Sequence, residues 1–209
     1  MQRSSLRFDL IALVLAAAWL LAILFVPPEQ TLGTLLRWVF AHASLTQVSL
    51  LLFLVAAILA AIFLLGRKEM YGWMEISGWV VLVLWSVGLL LSIVPAILSW
   101  GVWIDFNEPR TQMTLQVLAI GIIFLVLTRW VDHPRFTAIA QLVLSALALF
   151  LNRNAGVIRH PLNPIGTSGN DSIPMLYSLI FLLALAWSAA LVVYLVQRKD
   201  YASIPGDTD

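Results

Sequence analysis

The chain has no cysteine among its 209 residues, which excludes disulfides, thiolate metal ligands and thioether-linked cofactors. Charge is almost as scarce. Only 11% of the residues are charged, and 12 Lys and Arg nearly balance 11 Asp and Glu for a net charge of +1. The basic residues are scattered and form no phosphate-binding stripe, so nothing favours nucleic acid as a partner. Histidine occurs three times, at His42, His133 and His160, so the position of each matters. What the chain has in abundance is apolar surface: 61% of its residues are hydrophobic and its mean hydropathy is +0.95. That composition specifies an integral membrane protein whose main surroundings are membrane lipid.

Six apolar runs approach the length that crosses a bilayer, at about residues 10–27, 45–65, 73–97, 112–128, 137–151 and 175–196. The expected fold class is therefore an all-α integral membrane protein, a single six-helix domain over 1–209 with a polar cytoplasmic tail at 197–209. The first run follows Arg3 and Arg7 as a secretory signal would, but no small-residue cleavage site follows it, and it reads as a retained helix. Between the first two runs, EQTLGTLLRWVFAHAS places Leu32, Leu35, Leu36, Val39 and Phe40 at helical spacing, which suggests a short interfacial helix closed by His42. A kink is expected at Pro95. Gln47, Gln116 and Gln141 are expected to hydrogen-bond between helices.

Six spans put both termini on one side. Arg3, Arg7, Arg67, Lys68, Arg129, Arg135, Arg198 and Lys199 fall there, against Arg37, Arg110, Arg153 and Arg159 on the other. The excess marks the terminal side as cytoplasmic, in an inner (cytoplasmic) membrane. His42 and His160 then face outward and His133 faces inward, where it reads as an ordinary turn residue.

The stretch WGVWIDFNEPRT, Trp100 to Thr111, lies on the outer side too. It is too polar to span lipid and too aromatic for an idle linker, and its indoles suit the boundary between hydrocarbon and water. Without a special role, Trp100 and Trp103 are belt residues like Trp19, Trp38, Trp73, Trp79, Trp85, Trp130 and Trp187. Asp105 and Glu108 have two readings. They are solvated carboxylates paired with Arg110, or they tie the loop and fix a histidine tautomer.

Two outward imidazoles above an indole-lined surface suit haem. Neutral imidazole ligates its iron, aromatic rings cover its apolar disc, and arginines meet its propionates. His42 and His160 are the candidate axial ligands of the haem iron, with Trp100 and Trp103 as ring contacts. Arg110, Arg153 or Arg159 are the propionate partners, and Met113 and Met175 are reserve ligands. Rival readings are a haem-bearing or cofactor-free anchor or structural subunit of a respiratory or photosynthetic complex.

These residues resemble the cytochrome c assembly proteins that handle haem, in particular the haem exporter protein C type. That family carries an outer loop of pattern WGxWWxWDxRLT between spans three and four and a histidine in each flanking outer loop. Trp100, Gly101 and Trp103 match the start of the loop, and Arg110 with Thr111 match its end if one residue is inserted. RWVFAHASLTQVSLLLFLVAAI is similar to the segment carrying the first family histidine, which places that role on His42. RHPLNP is similar to WNTLHQP, which places the second on His160. The motif is degenerate: Ile104 replaces one tryptophan of the pair and Phe106 the third, while its aspartate matches Asp105 or Glu108 according to where the insertion falls. The resemblance implies a non-enzymatic protein for cytochrome c biogenesis. Such a protein binds haem b non-covalently at the outer face through His42, His160, Trp100, Trp103, Asp105, Glu108, Arg110 and Arg159. It passes the haem to a membrane-anchored haem chaperone, beside an ATP-binding-cassette transporter pair.

Overall fold

A backbone in hydrocarbon must satisfy its own hydrogen bonds, and a chain with this apolar content meets that demand by going helical along nearly its whole length. The computed structural model describes residues 5–30, 32–158 and 171–199. They form α1 (Ser5–Leu24), α2 (Leu36–Leu64), α3 (Tyr71–Trp100), α4 (Pro109–Val131), α5 (Pro134–Asn154) and α6 (Ser172–Arg198), with one short 3-10 turn at Lys68–Met70. All six α-helices are long and apolar enough to cross a membrane. The first ion pairs to consider, Asp9 with Arg198 and Glu75 with Arg129 and Lys199, gather the starts of α1 and α3 with the ends of α4 and α6. This is the terminal end of the bundle. The α3–α4 connection lies at the opposite, loop end.

The helices run past the apolar stretches that announce them, because hydropathy marks the part that prefers lipid while the helix continues as long as its backbone is bonded. Thus α4 spans 109–131 rather than 112–128, and α5 spans 134–154 rather than 137–151. The largest difference is at α2. The expected separate interfacial helix over residues 29–44 does not exist as such: residues from Leu36 onward belong to one 29-residue helix that reaches Leu64. Nothing between them breaks a helix, since neither Gly nor Pro occurs there. The preceding residues are held by a bridge between Glu29 and Gly33, and Arg37 Nε donates to the Val26 carbonyl at 3.0 Å.

The centre of the bundle is the α2–α3 pair, with α5 and α6 against it and α1 packed on α6. Three tryptophans that composition would assign to the membrane belt are structural instead. Trp19 stacks on Trp187 at 5.7 Å and donates Nε1 to Ser44 Oγ at 3.2 Å, joining α1, α6 and α2. Trp85 is buried edge-on against Phe53 and donates to the Thr114 carbonyl at 3.0 Å, joining α3 to α4. Such packing and hydrogen bonding replace the water-driven effect in lipid. Of the three glutamines expected to bridge helices, Gln141 donates to Ser145 within α5 at 3.1 Å, while Gln47 and Gln116 are exposed. The tail after Lys199 lies outside the described residues.

Candidate functional site

Two residues set the backbone at the loop end of α3. Pro95 inside α3 has no N–H for the carbonyl of Leu91, one turn back, so α3 lacks one backbone bond there. Five residues later α3 ends: Gly101 adopts φ +69°, a left-handed conformation that glycine accepts without strain, and its N–H caps the Ile97 carbonyl at 2.9 Å. Trp100 is accordingly the last residue of α3, and Pro109, Arg110 and Thr111 already belong to α4. The loop between the helices is the shorter run 101–108.

Two carboxylates shape that loop. Asp105 Oδ1 accepts the Asn107 N–H at 3.0 Å, and its own carbonyl accepts from Glu108 at 3.2 Å, so Asp105 folds the turn. The Gln112 amide reaches back to the Phe106 carbonyl at 2.6 Å. Glu108 precedes Pro109, which occupies the first helical position of α4. Its carboxylate is 1% exposed and accepts the Ile158 N–H at 3.3 and 3.4 Å. The tryptophan loop is thereby tied to the segment that leads toward His160. Both carboxylates thus hold the loop through backbone amides. Arg159 and His160 lie outside the described residues; Arg153 is exposed near the end of α5.

His42 sits seven residues into α2, not in a loop. Its Nδ1 lies 3.0 Å from the Trp38 carbonyl. A carbonyl only accepts, so the neutral ring carries its proton on Nδ1 and its lone pair on Nε2, the tautomer that backbone carbonyls impose on metal-binding histidines. The helix is held close to α3 at this level by Gly88. A Cβ there would stand 3.2 Å from Thr46 Oγ1, whose hydroxyl already donates to the His42 carbonyl at 2.9 Å.

Two cavities adjoin at His42. The first, about 270 Å³, is mainly apolar and is walled by Val39, Ile93, Pro95, Trp100, Trp103 and Ile104, with Asp105 at its rim. The second, about 300 Å³, is more polar and is walled by Thr46, Gln47, Arg110, Met113, Thr114 and Asn152. His42, Leu89, Ser92 and Thr111 line both. The fold therefore brings His42, Trp100, Trp103 and Asp105 around one space and sets Arg110 on the next, while Glu108 acts behind them as a tie. Trp103 is 73% exposed, so one of its faces meets the surroundings. Met113 is 5% exposed on the wall of the second cavity, whereas Met175 is 79% exposed and lines neither. Sequence reasoning missed the inner walls, Thr46, Ser92 and Asn152; a polar residue recurring on apolar helices was the only signal for them.

The residue types here are ones that can ligate or cover haem. An imidazole whose Nδ1 is held by a carbonyl stands where an indole-lined apolar space meets a polar one carrying a guanidinium. Among the described residues no group of three or more His, Cys, Asp or Glu gathers to hold a bare metal ion. Comparison with known proteins gives no match: no family model, no curated protein and no solved structure is similar to the chain.

Proposed function

We propose that this protein binds haem b at the loop end of its bundle and hands it on for cytochrome c maturation. His42 would hold the haem iron, Trp100 and Trp103 would cover the ring and Arg110 would meet the propionates; by resemblance His160 would be a second ligand and Arg159 a further cation. Asp105 and Glu108 keep the loop in place. The basic excess at the terminal end orients the loop end outward, toward a membrane-anchored haem chaperone, with an ATP-binding-cassette transporter pair as neighbouring subunits. The observation that carries the reading is the placement of His42, with Nδ1 anchored, at the junction of the apolar and polar cavities. When bound, haem brings its own redox chemistry. This chain's residues bind it, orient it and shield one face, so no side chain acts as a catalyst.

A second reading, a haem-bearing anchor for electron transfer, is favoured by one feature: His42 lies within a helix rather than in a loop. The two separate in one experiment. Haem-loaded protein in vesicles is mixed with a soluble apoprotein that binds haem, and transfer is followed by absorbance. Transfer within minutes supports delivery; haem that stays bound and is reduced at a quinone-dependent rate supports the anchor.

A further inference from the structure

The second cavity carries charge of one sign. Helices α2, α3, α4 and α5 all contribute to its wall, and among the described residues that line it Arg110 is permanently charged while none is Asp or Glu. Three of its hydroxyls are already committed: Thr46 Oγ1 donates to the His42 carbonyl at 2.9 Å, Thr114 Oγ1 to the Arg110 carbonyl at 2.8 Å, and Ser92 Oγ to the Leu89 carbonyl at 2.7 Å. A hydroxyl has one proton, so these three can accept but not donate. The Arg110 guanidinium, the Thr111 hydroxyl and the carboxamides of Gln47 and Asn152 keep theirs, since no side-chain hydrogen bond engages them among the described residues. The 23 residues of α4 span roughly 35 Å, a little more than the ~30 Å of bilayer hydrocarbon. Arg110 is the second residue of α4 and Asn152 stands two before Asn154, the last of α5. Both are therefore placed where hydrocarbon gives way to headgroups and water.

We propose that this cavity is an oxyanion site that takes a phosphate group, with Arg110 supplying the charge and Gln47, Thr111 and Asn152 the neutral donors. A guanidinium presents a fork of N–H groups that matches phosphate oxygens, and amide or hydroxyl protons satisfy the remaining oxygens without a second charge. The space, about 300 Å³, has room for a phosphate ion or for the phosphate end of a lipid headgroup. The phosphate belongs either to an anionic lipid of the leaflet at the loop end or to a free ion, and the recognition chemistry is the same for both. A cationic headgroup finds no carboxylate on this wall. Snorkelling toward water explains an exposed guanidinium by itself. It does not explain a polar cavity without acidic residues whose carboxamide protons are unspent. The inference goes beyond the haem reading and does not need it; a phosphate at Arg110 would compete with the propionates for that side chain.

The test uses full-length, haem-free protein purified in a neutral detergent. Inorganic phosphate is titrated in by calorimetry, and phosphatidylglycerol and phosphatidylcholine are added separately and read as bound lipid by native mass spectrometry. The expected result is saturable binding of phosphatidylglycerol or of inorganic phosphate that weakens several-fold in Arg110→Gln and in Asn152→Leu. Arg67→Gln, at the terminal end, is expected to leave it unchanged. Binding of the lipid alone assigns the phosphate to a headgroup, and binding of inorganic phosphate assigns it to a free ion. Phosphatidylcholine should bind more weakly than phosphatidylglycerol, because nothing on the wall answers its ammonium. Gln47→Leu takes the place of either variant that fails to fold. The proposal is overturned if neither probe saturates, if the two lipids bind equally, or if binding survives the loss of Arg110 and Asn152 unchanged. Haem added to the same preparations keeps the two readings apart: phosphate binding without haem binding would remove the haem reading alone.

Discussion

The two ends of the bundle are built by opposite means. At the terminal end, Glu75, with its side chain 12% exposed, binds Lys199 at 2.8 Å and Arg129 at 3.8 Å, and the Arg129 guanidinium lies 5.3 Å over the Trp79 ring. Asp9 meets Arg198 at 3.4 Å. Glycines close the remaining space: a Cβ on Gly78 would collide with Gln141, and one on Gly121 with Leu82. A cavity of only about 70 Å³ is left. At the loop end, Pro95 removes one backbone bond from α3, Gly101 ends it, and two larger cavities adjoin His42. Ion pairs tie one end, while an imidazole, two indoles, a carboxylate and a guanidinium line the cavities at the other.

Substitutions can break or sharpen that contrast, and the largest effect is expected at the loop end. Glu108→Ala strips a buried acceptor from the Ile158 amide and should cost about 2–3 kcal/mol. Hydrogen exchange at Ile158 should accelerate while amides in α6 keep their protection; a uniform loss across the protein would show that Glu108 is a general stabiliser and not a local tie. Next, Gly88→Val crowds Thr46 and the His42 carbonyl, with a cost of about 1–3 kcal/mol. Haem affinity should fall with it, and unchanged binding would remove His42 from the site. Smaller still, Glu75→Gln should lower stability by about 0.5–1 kcal/mol, since its partners are substantially exposed. Haem binding should not change; a spectral shift would mean that the two ends communicate.

The smallest effect is expected from the exposed pair beyond α2. Arg67 Nε donates to Glu69 Oε1 at 2.6 Å, and that hydrogen bond with the adjoining positive charge holds the Glu69 carboxyl below its ordinary range. A depressed carboxyl contributes above its unfolded value and loses that contribution as pH falls through its folded value. Because both side chains are open to water, acid titration of Glu69→Gln and wild type should give closely matching thermal midpoints.

Much of this fold is legible in residue types alone. The six spans follow from hydrophobic runs, and the α4–α5 turn from Asp132, His133 and Pro134, with Asp132 taking the left-handed conformation at φ 45°. Helix ends are less legible, because Trp100 and Arg110 read as loop by polarity yet keep helical hydrogen bonds. The continuity of α2 through Ala41–Ala43 was hidden for the same reason: a change from amphipathic to wholly apolar pattern is a change of surroundings, not of backbone. At the site, a histidine beside a tryptophan-rich loop points to His42, Trp100 and Trp103. The role of Glu108 as a buried tie to Ile158 needs a contact fifty residues away in sequence, which no local pattern contains.

The claim that His42 holds haem at the junction of the two cavities is tested most directly by titrating haem into purified wild type, His42→Ala and His133→Ala and reading the Soret band and low-spin spectrum of each. Wild type and His133→Ala should bind haem alike, and His42→Ala should lose the low-spin spectrum while keeping its helical content. Equal spectra in all three, or no Soret shift in any, would contradict it.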